Sequence, residues 1–244
     1  MAYRSVTLCV MMPAQSDIHL RRFPPMLAPS NSVQLIQHHP AEGPGAIATW
    51  AQSRGLTLAV FRADLGHLPA VSAAPVIILG GPYESNAGPA WLAQERQWLA
   101  ASLAQGAPVF AICLGAQLLA LSLGGQVRRM ATTETGWTTV NFADGSALKV
   151  LEWHEDAIDL PPGAQLLASS ALCEQQMYAV GSTRIGLQFH PEWNAESVAQ
   201  LNAHFADESP LPRHQDHSAA YRQVYDWLQV TLDQWHLAAT AASR

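Results

Sequence analysis

Short unbroken apolar runs alternate with longer segments of helical period from residue 33 to residue 122. Val33-Gln34-Leu35-Ile36-Gln37, the stretch 56–61 and Pro75-Val76-Ile77-Ile78-Leu79 are too brief for helices and too continuous for strands with one wet face. They predict parallel strands covered on both sides. Between them the spacing predicts helices over 45–54 and 90–104, with Gly55 and Gly106 placed where helices end in a left-handed residue. In the second helix Trp91, Leu92, Glu95, Trp98, Leu99 and Leu103 fall near one face. A further apolar strand, Pro108 to Ile112, runs into a helix-favouring segment that stops at Gly124-Gly125.

Beyond Gln126 the texture changes. The stretches 127–130, 138–142, 148–153, 166–168, 175–180 and 184–189 are short and turn-separated, and predict antiparallel strands. Helices are expected over 195–205 and about 218–237, joined by a linker rich in proline and histidine. The first 30 residues fit neither period. Val6 to Met12 has strand character, but Pro13, Pro24, Pro25 and Pro29 break up the chain beyond it. The expected organisation is an extension over 1–31, an α/β domain over 32–208, and a linker with a C-terminal helix on the same domain over 209–244. The α/β domain would hold an open, mostly parallel twisted sheet with helices on both faces and a small antiparallel sheet in its second half.

Composition narrows the function classes. The chain has 244 residues, is 49% hydrophobic and only 13% charged, which indicates a well-filled core. A net charge of −6 with scattered arginines offers no basic stripe, so nucleic acid is not an expected partner. No apolar run reaches bilayer length, so no membrane partner is expected either. Arg4 and the apolar run behind it fall short of a secretion signal, and three cysteines are too few for a disulfide framework; both point to the cytoplasm.

Candidate chemistry gathers at two places. Cys113 stands where the 108–112 strand gives way to a helix, the geometry of a nucleophile elbow, with Gly115 allowing the close backbone approach such a turn needs. A thiol at a helix N-terminus lies among unpaired N–H groups that favour its ionised form and can receive an oxyanion. The second place is Gln188-Phe189-His190-Pro191-Glu192. On extended backbone His190 and Glu192 share a face, so the acid can orient the imidazole as a base. Trp153-His154-Glu155-Asp156 offers a rival histidine–acid pair at the same spacing, which the residues alone leave open.

Cys113-Leu114-Gly115-Ala116-Gln117, the upstream Gly80-Gly81-Pro82 and the terminal Gln188-Phe189-His190-Pro191-Glu192 resemble, in order and spacing, the three signatures of class I (triad-type) glutamine amidotransferases. Glu42-Gly43-Pro44-Gly45 and Glu134-Thr135-Gly136-Trp137 resemble stand-alone GMP-synthase-like members. The resemblance covers about residues 33–205 and implies the flavodoxin-like sheet of that family. It also implies a catalytic triad of Cys113, His190 and Glu192, and an oxyanion hole of the Gly81 and Leu114 N–H groups. Gln117, Glu155 and Asp156 would hold the amino-acid end of the substrate, which makes His154 a pocket wall. Neither metal nor cofactor is implied.

The implied activity is glutaminase chemistry through a Cys113 γ-glutamyl thioester, with ammonia passed to a synthase or synthetase subunit. The chain carries no ATP-pyrophosphatase loop, so it is not a complete GMP synthase. One alternative is a γ-glutamyl-peptide or γ-glutamyl-amine hydrolase with the same triad, its leaving-group side set by Tyr83 and a loop around 132–137. Another is a non-catalytic regulatory or binding protein on this fold. For a partner-fed glutaminase the resemblance implies slow basal turnover, with the Gly81 donor turned out of the hole.

Overall fold

A computed structural model describes residues 9–10, 31–209, 211–212 and 217–242. Its centre is one mixed sheet of ten strands in the order β1-β3-β2-β4-β5-β10-β9-β8-β6-β7. The parallel half comprises β1 (Cys9–Val10), β2 (Ser32–Gln37), β3 (Thr57–Arg62), β4 (Val76–Ile78), β5 (Val109–Ile112) and β10 (Arg184–Leu187). The antiparallel half continues through β9 (Met177–Val180), β8 (Gln165–Ser169), β6 (Gln126–Phe142) and β7 (Ala147–Asp159). The antiparallel strands expected after Gln126 therefore extend the parallel sheet across β10, which has one parallel and one antiparallel neighbour.

Alternation along the short strands loads both faces. Leu35, Ile77, Phe110 and Ile112 point into one core with α1 (Gly45–Ser53) and α5 (Ser218–Ala242). Ile36, Ile78, Val109 and Ala111 point into the other, with α2 (Ala90–Ala104) and α3 (Leu114–Ser122). That is why the runs read as continuous: neither face meets water. α5 is seated by Val224, Leu228, Leu232 and Trp235, and the Trp235 indole N–H donates to the Thr183 carbonyl at 2.9 Å. On α1, the Trp50 indole N–H donates to Asp233 of α5 at 2.9 Å. A third, smaller cluster packs α4 (Ala195–His204) through Val198 and Leu201 against Leu151 and Trp193.

The 127–130 and 138–142 stretches belong to one strand, and the loop expected around 132–137 is part of it, with 134–137 paired to 151–154. β6 runs 17 residues and pairs with β7 on both sides of an irregularity, where Arg129 opposes Asp156 and Glu134 opposes His154. Residues 130–133 thus face a single residue of β7, and the excess bulges outward. Gly115 lies against β4: a Cβ there would sit 2.5 Å from the Ile78 carbonyl oxygen, and the Gly115 N–H donates to the Leu79 carbonyl at 3.2 Å. The sharp turn from β5 into α3 needs a residue without a side chain at that position.

Candidate active site

Four parallel strands deliver the site from their carboxyl ends, where ligands bind in open α/β sheets. His38 follows β2, Gly80-Gly81 follow β4, Cys113 follows β5 and His190 follows β10. Cys113 adopts φ 48° and ψ −110°, making it the one non-glycine residue with positive φ among those described. Such backbone costs on the order of 1–3 kcal/mol and persists only where the surroundings impose it. Here the Cys113 N–H donates to the Leu187 carbonyl at 2.7 Å and Gln117 N–H donates to the Cys113 carbonyl at 3.0 Å, so strand and helix hold the elbow from both ends.

Next to Cys113 stands His190, buried against Trp193 with ring centroids 3.5 Å apart and planes within 8°. His190 Nδ1–H donates to Glu192 Oε1 at 2.8 Å, leaving Nε2 for Cys113. Burial disfavours the imidazolium, but the carboxylate of Glu192 and the sulfur of Cys113 outweigh it and carry the His190 pKa well above its usual value. The Gln188 side-chain amide donates to Cys113 Sγ at 3.6 Å. Glu192 is tied in turn to α1, whose Ala46 N–H donates to its carbonyl at 2.8 Å.

A cavity of about 360 Å³ opens over the thiol. Gly81, Leu114, Gln117, Glu155, Asp156 and His190 line it with Cys113, and Glu192 lies behind His190. The thiol, histidine, oxyanion and substrate-end candidates named from the sequence therefore converge here, together with Tyr83, whereas none of 132–137 lines the cavity. The Gly81 and Leu114 N–H groups donate to no protein acceptor among the described residues. At the rim the exposed Arg129 pairs with Glu155, and with Asp156 at 3.6 Å. Tyr83 also lines the cavity, edge-on to Trp91 with centroids 5.0 Å apart.

The rival His154 serves a different network. Its Nδ1–H donates to the Asp156 carbonyl at 2.8 Å, while Nε2 faces Glu134 Oε2 at 3.2 Å and Glu152 Oε2 at 3.4 Å. Burial opposes the charge on His154, but hydrogen bonds to Glu134 and Glu152 raise its pKa to about 10. Glu134 also accepts from Ser170 at 2.6 Å and Gln176 at 2.8 Å. Glu134, His154 and Cys173 bring donor atoms within 4.8 Å of one another, the composition of a metal site. The imidazolium already supplies positive charge between the carboxylates. Burial pushes the Cys173 thiol up to about 12, which disfavours the thiolate a metal would require.

Sequence reasoning assigned no role to three residues that shape this site. Glu42 is buried in the cavity wall, and desolvation raises its pKa to about 7; His190 opposes that shift and Glu192 adds to it. Gln188 was detectable, because it alternates with His190 on extended backbone. His38, with Glu95 on the apolar face of α2, lies under the Gly80-Gly81 turn.

The sequence profile described as "Glutamine amidotransferase class-I" matches residues 45–203. The chain belongs to the class I glutamine amidotransferase family. Among its relatives is YfeJ of Salmonella typhimurium, described as glutamine amidotransferase-like, 28% identical over 72% of this chain and 82% of that protein. One subunit of the glutamine-hydrolysing GMP synthase of Saccharolobus solfataricus is 39% identical over 48% of this chain and 66% of its own length. Gamma-glutamyl peptidase 3 of Arabidopsis thaliana is 24% identical over 51% of this chain and 57% of its own. A Thermotoga maritima glutamine amidotransferase superposes with a TM-score of 0.73 at 25% identity, covering 87% of this chain and 99% of that one. Class I amidotransferases thus share this mixed α/β sheet and its helices. No helix among the described residues is long and apolar enough to cross a membrane.

Proposed function

We propose that this amidotransferase hydrolyses the side-chain amide of glutamine to glutamate and ammonia through a γ-glutamyl thioester on Cys113. The observation that carries the reading is the His190 ring, held at Nδ1 by Glu192 and left with Nε2 for a thiol at a strained strand–helix elbow. In the reaction, His190 takes the thiol proton and the sulfur attacks the amide carbon. The tetrahedral oxyanion is received by the Gly81 and Leu114 N–H groups. His190 returns the proton to the departing nitrogen, the C–N bond breaks, and ammonia leaves. Water, deprotonated by His190, then attacks the thioester and releases glutamate. Gln117, with the backbone of Glu155 and Asp156, holds the amino-acid end of the substrate. Ammonia passes to a synthase or synthetase subunit, and the setting is the cytoplasm.

A second reading, hydrolysis of γ-glutamyl peptides or amines by the same steps, is favoured by the exposed residues that line the cavity. Exposed Glu84, Glu155 and Glu208 border it with Arg129, so its rim meets solvent where a leaving group larger than ammonia would project. Steady-state kinetics on glutamine beside a panel of γ-glutamyl dipeptides and amines decides between the two. Glutamine turnover abolished by Cys113→Ala supports the first reading, and saturable turnover of a dipeptide with negligible glutaminase activity supports the second. Absence of any acyl-enzyme with either class leaves a binding protein on this fold.

A further inference from the structure

His38 and Glu95 form the most enclosed ion pair among the described residues, with both side chains fully buried. They lie outside the triad, the cavity lining and every step above. The Glu95 oxygens lie 2.9 and 3.0 Å from His38 Nε2. On the opposite edge of the ring, His38 Nδ1 lies 2.8 Å from the carbonyl oxygen of Gly80. A carbonyl oxygen only accepts, so Nδ1 must carry a proton and donate it. Nε2, facing the Glu95 carboxylate, is placed to take a second proton. Burial opposes the resulting charge, yet Glu95 and the Gly80 carbonyl raise the His38 pKa above its usual value.

The Gly80 carbonyl belongs to the same peptide unit as the Gly81 N–H. In a trans peptide the two point in opposite directions. We propose that His38, braced by Glu95, is a positioning residue: by holding the Gly80 carbonyl away from the cavity, it keeps the Gly81 N–H aimed into the oxyanion hole before substrate arrives. Three contacts support this. A Cβ on Gly81 would lie 2.8 Å from His38 Cβ and 3.0 Å from Leu114 Cδ2, and one on Gly80 would lie 2.7 Å from His190 Cε1. The peptide is thus sandwiched between the latch and the catalytic groups, and rotating it would leave the buried Nδ1–H of His38 without an acceptor. Trp91 packs over the His38 ring at 5.9 Å between centroids, and Tyr83 packs on Trp91. The slow basal turnover that the family resemblance implies for a turned-out Gly81 is therefore not expected. The hole is formed in the free chain and needs no partner to complete it.

The proposal rests on the thioester reading above, and its test separates the two. His38→Phe keeps the ring and loses the donor; combining it with Glu95→Leu avoids stranding a buried carboxylate. Both variants are expected to lose kcat by more than tenfold, toward the roughly 10²–10³-fold that one missing oxyanion donor costs, with KM little changed. Binding of a γ-glutamyl aldehyde, which forms a tetrahedral thiohemiacetal, should fall in parallel. Cys113 alkylation by iodoacetamide, which needs no oxyanion hole, should keep its rate. His38→Asn supplies a shorter N–H and should recover part of kcat. Glu95→Gln should remain active, because its amide can donate to Nε2 of a neutral ring that still gives Nδ1–H to Gly80. A kcat within threefold of wild type in His38→Phe overturns the latch. So does a loss of iodoacetamide reactivity equal to the loss of kcat, which would mark general collapse. If the wild type forms no acyl-enzyme, the functional reading fails, and ¹⁵N NMR of the His38 ring decides the latch alone: a protonated Nδ1 at neutral pH sustains it, a bare Nδ1 overturns it.

Discussion

At the scale of single residues, the cysteines are separated by environment. Cys113 sits at the mouth of a cavity among unpaired N–H groups, whereas Cys173 is buried with its thiol pKa near 12. A glutamine-analogue diazo-ketone should therefore label Cys113 in one-to-one stoichiometry and spare Cys173, as peptide mapping would read. Labelling that survives Cys113→Ala would place the nucleophile elsewhere. Glu42 gives a second test. Its folded pKa of about 7 lies above its ordinary 4.5, so between these values the folded state holds the extra proton. Its contribution to stability is full below pH 4.5 and is lost as pH rises through 7. Glu42→Gln should remove that loss, gaining up to ~3 kcal/mol over wild type at pH 8 relative to pH 4.5 in urea titrations. Cys113, His190 and Glu192 were legible because a chemical type stood at a strand end with the right spacing. Glu42 and His38 were not, because their significance comes from neighbours far along the chain: His190 and Glu192 around one, Glu95, 57 residues away, beside the other. The hint that existed was Glu95 itself, a carboxylate on an apolar helix stripe that burial would forbid without a partner.

At the scale of elements, the β6–β7 hairpin is the part that period alone misjudged. Alternation identified its ends but read two strands where one bulged strand runs, because residues 130–133 carry no turn chemistry and simply leave the ladder. What keeps the long ribbon in register past that bulge is His154 between Glu134 and Glu152. His154→Ala leaves two buried carboxylates facing each other and should cost about 3–5 kcal/mol, read by urea denaturation. The folded pKa of about 10 lies above the unfolded 6.5, so the histidine's stabilisation is whole below pH 6.5 and is lost as pH climbs through 10. Wild type should lose stability across that range more steeply than His154→Ala. In single-turnover acylation, His190→Ala should lose at least 10²–10⁴-fold while His154→Ala acts mainly on substrate affinity. The reverse order would exchange the two pairs. The parallel strands were legible for the opposite reason: residues such as Leu35 and Ile36 are both buried, on opposite faces, so the apolar run is uninterrupted.

At the scale of the molecule, Cys113 and His190 follow adjacent strands that are distant in the chain. β5 ends at Ile112, and its neighbour β10 begins only at Arg184, after the whole antiparallel half has been laid down. Pairings of such long sequence separation form late, because loop closure must precede any reward. The sheet could not have been ordered from the sequence for the same reason: each strand's period says what face it buries, not which partner it takes. The consequence concerns time and safety. Until β10 slots in beside β5, the thiol has no imidazole and its elbow has no Leu187 carbonyl to hold it. A chain still leaving the ribosome, or cut short before residue 184, carries the cysteine unarmed and presents β5 as a bare, sticky edge. During refolding, capture of the diazo-ketone should therefore appear only in the last kinetic phase, after most secondary structure is in place. The site is loaded by its final strand, and until that strand arrives it has nothing to fire with.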